Sequence, residues 1–204
     1  MFPRKQPQGS RVRGTVRREW LRLLLLAALA LPAVAGTEPI ALDPARSSAD
    51  FEIRAMWMFD IAGHFPAVTG EVDIDAAAHS ARVRARIDVR SVSMRRESYE
   101  DWVKSDEFFD AARHPFVEFA SEPFPLATLD LGGAITGYLT LRGVTRPMSL
   151  RLRPSRCPGE AARRCPVVAD GTLLRSEFGM RSRRATLADK VRLHFSVLAA
   201  AATE

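Results

Sequence analysis

The stretch Ser80–Val92, SARVRARIDVRSV, alternates strictly: Val83, Ala85, Ile87 and Val89 fall on one face, and Arg82, Arg84, Arg86, Asp88 and Arg90 on the other. Period-two alternation over this length marks a half-buried strand with one wet face. Ala49–Phe59 repeats the pattern, with Phe51, Ile53, Ala55, Trp57 and Phe59 sharing a face against Asp50, Glu52 and Arg54. Val68–Asp75 follows a turn that contains Gly63 and carries Glu71, Asp73 and Asp75 outward. Gly133–Pro154 reads as a hairpin turning at Arg142–Arg146, with Ile135, Leu139 and Leu141 facing Met148, Leu150 and Leu152. With Pro115–Ser121, Val167–Leu174 and Lys190–Ala199, the strands number about eight, the density of an antiparallel sandwich or closed barrel.

One segment departs from this rhythm. Ser105–Ser121, SDEFFDAARHPFVEFAS, gathers Phe108, Phe109, Phe116 and Phe119 around a turn, and Trp102 joins them from the helix-like SYEDWVKS, where Ser98 and Asp101 have capping-box spacing. Ser105, Asp106 and Glu107 read as the cap of a second short helix, and a strand begins at Pro115. Such an aromatic group either plugs one end of a core or lids an apolar pocket. The expected fold is therefore all-β: an antiparallel β-barrel of about eight strands with a short helical insertion, a size that either fills with side chains or holds one small ligand. Interior candidates mix Gly70, Ala85 and Gly137 with Phe51, Trp57, Phe59 and Phe195, which leaves room for a slender guest.

The N-terminus changes the reading of charge. Met1–Arg22 holds seven basic residues and one acid, Leu21–Leu31 is an apolar run, and Ala33–Ala35 supplies a small-x-small cleavage site, so residues 1–35 read as a secretory signal peptide and residues 36–204 as one domain. Arg17–Arg22 also fits a twin-arginine motif, which leaves the export route open. The whole chain has 30 basic and 24 acidic residues; without the leader the two signs are equal. The high pI therefore belongs to the leader, and nucleic acid loses its support as a partner. The arginine face of Ser80–Val92 reads as solvated barrel exterior, with contact to anionic lipid headgroups second.

Cys157 and Cys165, the two cysteines of the chain, bracket the loop CPGEAARRC. In an oxidising compartment this spacing predicts a disulfide, worth about 2 to 3 kcal/mol in the chain-entropy model. A metal site lacks further ligands nearby and a redox pair lacks Cys-x-x-Cys spacing. Catalytic motifs are missing too: no nucleophile elbow, zincin helix or phosphate loop occurs, and His64, His79, His114 and His194 stand without metal-ligand spacing.

The order of segments resembles the YceI-like family of periplasmic, lipocalin-like polyisoprenoid-binding proteins. The resemblance rests on Asp43–Met56, on the Gly63, Phe65, Gly70 region with Val72–Asp75, on the Phe108, Phe109, Asp110, Pro115, Phe119, Ser121 pattern, on Gly137–Leu150 and on Arg175–Met180, RSEFGM. Asp101–Phe109, DWVKSDEFF, and the cysteine loop depart from it. The resemblance implies a periplasmic carrier that sequesters a polyisoprenoid lipid, an isoprenoid quinone or a prenyl phosphate, without a cofactor and without catalysis. The expected ligand wall is Phe51, Ile53, Trp57, Phe59, Phe65, Ala85, Leu139, Leu141, Met148 and Phe195, with Phe108, Phe109, Phe116 and Phe178 at its mouth or floor. Two other classes stay open: a lipid-modifying enzyme, and a packed barrel acting as an interaction module for a membrane redox partner or as a homodimer.

Overall fold

The computed structural model describes residues 39–201. They form one antiparallel sheet of twelve strands: β1 (Ile40–Ala41), β2 (Ser48–Ala55), β3 (Phe59–Phe65), β4 (Thr69–Asp75), β5 (Ser80–Asp88), β6 (Ser93–Met94), β7 (Phe116–Ser121), β8 (Phe124–Pro125), β9 (Gly133–Leu141), β10 (Val144–Leu152), β11 (Val167–Leu174) and β12 (Leu187–Val197). The spatial order is β1-β4-β5-β7-β9-β10-β11-β12-β2-β3-β6, with β8 beside β5. Helix α1 (Glu97–Lys104) and a helical turn at Thr128–Leu131 interrupt it.

The sheet curls because one face of every long strand is apolar and must be buried. β10 shows the rule, with Met148, Leu150 and Leu152 buried and Ser149 and Arg151 exposed. The first edge is drawn back onto the last strand: Asp43 N–H donates to Leu198 O, Ala200 N–H to Ala41 O, and Leu42 bridges Ala199. Buried Ser47 completes the seam, its hydroxyl donating to Leu198 O at 3.3 Å and accepting from Leu198 N–H at 3.0 Å.

The barrel class stands, and the strand count rises from about eight to twelve because Ala49–Phe59 divides into β2 and β3 and the two-residue strands β1, β6 and β8 add three more. Ala55 pairs with Phe59 across a turn at Met56–Met58, so Trp57 is a turn residue and β3 occupies the region read as a Gly63 turn. Gly63 is instead a strand residue over which the Phe51 ring lies; a Cβ there would stand 2.3 Å from that ring. The β9–β10 turn is tighter than expected, with only Arg142 and Gly143 between paired Leu141 and Val144, both at positive φ (54° and 70°) as a two-residue hairpin requires. Helix α1 begins after Arg96, which makes no side-chain cap, so the Ser98–Asp101 box is not formed. Ser105 closes α1 rather than opening another helix, its N–H and hydroxyl both donating to Trp102 O.

The basic face of β5 is largely paired with carboxylates of β4, β7 and β5 itself, Arg82 making no ion pair among the described residues. Arg84 pairs with Glu71 and Asp73, Arg86 with Glu118, and Arg90 with Asp88. Exposed pairs of this kind are the pattern of a solvated exterior.

Candidate functional site: an apolar cavity under an aromatic lid

The inner faces of the strands enclose a cavity of about 160 Å³. Ten of the fourteen expected ligand residues line it: Phe51, Ile53, Phe65, Ala85, Phe108, Phe109, Leu139, Leu141, Met148 and Phe195. Four do not. Trp57 on the β2–β3 turn and Phe59 at the start of β3 are 73% and 59% exposed, outside the barrel. Phe116 shares parity with exposed Glu118, so it faces outward under the Arg86 guanidinium, 3.4 Å from its ring centroid, while Val117 and Phe119 face inward. Phe178 is buried in the 3-10 turn Arg175–Phe178 but does not reach the cavity.

The aromatic corner closes one end. Phe109 meets Phe51 edge-on at 5.8 Å between centroids and Phe65 at 6.0 Å, while Phe108 packs against Trp102 at 4.3 Å. Edge-to-face aromatic contacts of this kind add about 0.5 to 1.5 kcal/mol each beyond the area they bury. The corner holds its shape through the backbone: Phe109 N–H donates to Val103 O, Asp110 N–H to Ser105 O, and His114 N–H to Asp110 O. The β9–β10 turn clamps it from outside, Arg142 donating to Asp106 O at 2.8 Å and to Phe108 O. A second clamp comes from the loop before β12, where Arg183 lies 4.9 Å over the Trp102 ring and donates to Glu107. Glu107 also accepts from Trp102 Nε1 at 3.1 Å, and that bond chiefly holds its carboxyl below the ordinary range, with Arg183 adding to the lowering.

The other end lies beyond Leu152, a full β10 strand away. The loop after β10 is closed by the Cys157–Cys165 disulfide, with Cα atoms 5.8 Å apart, and Ala162 from this loop lines the cavity. Ala199 N–H donates to Ala162 O at 2.6 Å, which seats the loop on the chain leaving β12.

Two charged residues touch the cavity, and neither offers it a free charge. Asp50 is on the outer parity of β2, its carboxylate 2.6 Å from His64 Nδ1. Arg175 is 1% exposed, and its guanidinium is taken up by the carbonyls of Ala188, Met180, Ser182 and Leu187 at 2.7 to 3.2 Å. Burial pulls its pKa down. The late Arg-Phe-Gly motif thus ties the segment between β11 and β12 together from inside. Its role was beyond the reach of sequence, because every partner is a backbone carbonyl. Trp102, Val103 and Met94 on the lid side and Val117 and Phe119 on β7 also line the wall; the inward parity of β7 was legible once Glu118 is placed outside.

The histidines stand apart from the cavity. His64 lies in β3 rather than a turn, His194 sits 2.9 Å from Asp170, both on the outer face, and His114 packs beside Gly143. Among the described residues no three His, Cys, Asp or Glu side chains gather to hold a metal.

A curled antiparallel barrel around an apolar interior defines the structural class. Residues 41–199 match the YceI-like domain model, and the chain belongs to the YceI-like family. A UPF0312 protein of Shewanella denitrificans is 28% identical over 142 residues, 67% of this chain and 72% of that one. In structure the chain is similar to Burkholderia cenocepacia BcnA, with TM-score 0.61 and 22% identity over 78% of this chain and 99% of the other. It is also similar to a polyisoprenoid binding domain from Saccharophagus degradans implicated in plant cell wall breakdown, with TM-score 0.56 and 15% identity over 77% and 95%.

Proposed function

We propose that this chain is an exported carrier, with residues 1–35 as a cleaved leader and residues 36–204 as a periplasmic barrel, that sequesters the chain of a polyisoprenoid lipid in its cavity without turning it over. The leader lies outside the described residues; its basic start, apolar run and small-x-small site carry that part of the reading. The observation that carries the rest is the cavity itself. Its roughly 160 Å³ is about tenfold the space one water needs, and its wall is apolar apart from two residues whose charges are already engaged. Such a wall favours a hydrocarbon, since each CH₂ moved into it from water gains about 0.8 kcal/mol without any polar contact. The similarity to a domain described as polyisoprenoid binding supports the choice of cargo. A lipid-modifying enzyme would need a free acid or base at the wall, and an interaction module would fill its interior with side chains. Native mass spectrometry of protein purified from its own periplasm tests the proposal: a co-purifying prenyl lipid is expected, and protein that emerges empty and takes up no isoprenoid quinone or prenyl phosphate refutes it.

A further inference from the structure

The four residues Met56, Trp57, Met58 and Phe59 are 57%, 73%, 76% and 59% exposed, a contiguous apolar tip on the β2–β3 hairpin. Folding does not ask for them. Met56 and Trp57 have positive φ, 46° and 62°, in the left-handed region where turns favour Gly, Asn or Asp. Bulky apolar residues therefore occupy a turn that disfavours them, with their side chains in water, and a soluble barrel gains nothing from that.

The surroundings indicate what covers the tip. Met56 N–H donates to Thr186 O at 2.7 Å, joining the hairpin to the loop before β12, which presents exposed Arg181, Arg183 and Arg184. Arg183 is held by Glu107, whereas Arg181 and Arg184 make no ion pair among the described residues. Aromatic and thioether side chains beside unpaired guanidinium groups match the layering of a bilayer surface, where Trp sits at headgroup depth and each basic group meets an anionic phosphate. The tip also stands at the lid end of the barrel, because Arg183 in the same loop touches both Trp102 and Glu107.

We infer that the Met56–Phe59 tip and the Arg181–Arg184 loop form a docking surface for an anionic phospholipid membrane, which sets the aromatic lid against the bilayer. The inference rests on the carrier reading only for what passes through the lid; docking itself is measured without cargo. Purified protein is sedimented with phosphatidylcholine vesicles with and without phosphatidylglycerol, all variants carrying the same N-terminus. Wild type should pellet with the phosphatidylglycerol vesicles. Arg181→Gln with Arg184→Gln should weaken this by about thirtyfold, at roughly 1 kcal/mol per surface charge. Trp57→Ser with Phe59→Ser should weaken it by about a hundredfold or more, since two aromatic side chains stay in water. Pelleting equal to wild type in the tip variant overturns the inference. So does a wild-type dimer in light scattering that the tip variant alone dissolves, because the tip would then be covered by a second copy. A chain that docks but holds no lipid keeps this inference and sinks the carrier; one that holds lipid but ignores vesicles does the reverse.

Discussion

Replacing Ala85 by Phe asks whether the cavity is where the cargo lies. Ala85 is half-buried on β5 and lines the cavity, paired with Gly70 on one side and Phe119 on the other. It shares the inward parity of Val83 and Ile87, which also line the cavity, and its cross-strand neighbour Phe119 is only 9% exposed. A ring at position 85 therefore has to enter the cavity. If it excludes one isoprene unit, five carbons at about 0.8 kcal/mol each, binding weakens by about 4 kcal/mol, close to a thousandfold in Kd. Overpacking itself costs about 1 to 3 kcal/mol, which the barrel should survive. The assay is retention of prenyl lipid by native mass spectrometry, with circular dichroism as the check on folding. His114→Ala, away from the wall beside Gly143, should bind nearly as wild type does. A folded Ala85→Phe protein that keeps its lipid refutes the reasoning.

Mass analysis of periplasmic protein should find a mature N-terminus at Gly36, and an intact Met1 would argue for an anchor instead. Non-reducing peptide mapping should recover Cys157 linked to Cys165, and reductant should lower unfolding free energy in urea by about 2 to 3 kcal/mol. Arg175→Met strands the carbonyls of Met180, Ser182, Leu187 and Ala188, and should cost on the order of 4 kcal/mol in the same measurement, at about 1 to 3 kcal/mol for each buried group left unpaired. The Arg153 guanidinium chiefly holds the Asp170 carboxyl below its ordinary range, against partial burial that raises it, and His194 adds to the lowering. A carboxyl lowered in the folded state contributes stability that is complete above its unfolded pKa, about 4, and fades as acid protonates it. Asp170→Asn should therefore lose less stability than wild type on acidification from about pH 7 to pH 3.

Alternation made most of the barrel legible: β11 runs from Val167 to Leu174 as its hydrophobic pattern implies, and β5 turns its arginines outward along its whole length. It failed at the β2–β3 hairpin for a physical reason. A turn is normally announced by Gly, Asn, Asp or Pro, and here it is made of Met56, Trp57 and Met58, so the apolar signal continues straight through the reversal. Gly63 misled in the opposite sense, since its missing side chain accommodates the Phe51 ring within a strand rather than bending the chain. Phe116 was misplaced by hydrophobicity alone; its parity with Glu118 decides its face, and the Arg86 guanidinium covers what would otherwise be an exposed ring. The aromatic corner was legible as a plug or a lid, but its anchoring was not, because its anchors are carbonyls reached by Arg142 from a different hairpin.

A cavity inside the barrel needs an explanation in a polymer whose cores pack like organic crystals. At about 24 cal/mol per Å³, a void of about 160 Å³ costs close to 4 kcal/mol, a large share of the stability of one domain. A wall free to relax would shrink the void and remove that cost. This wall is pinned from several sides: the seam through Ser47 and Leu198 fixes the circumference, the disulfide loop seats Ala162 at one end, Arg142 and Arg183 hold the aromatic corner at the other, and Arg175 knots the segment behind β11. Each of these devices prevents collapse and none fills the space. A hydrocarbon guest would remove the same cost by filling the cavity, and at a concentration a hundredfold above its Kd it would add about 2.7 kcal/mol to stability. On the proposed carrier reading, the rigid wall and the cavity are parts of one arrangement that a hydrocarbon guest would complete.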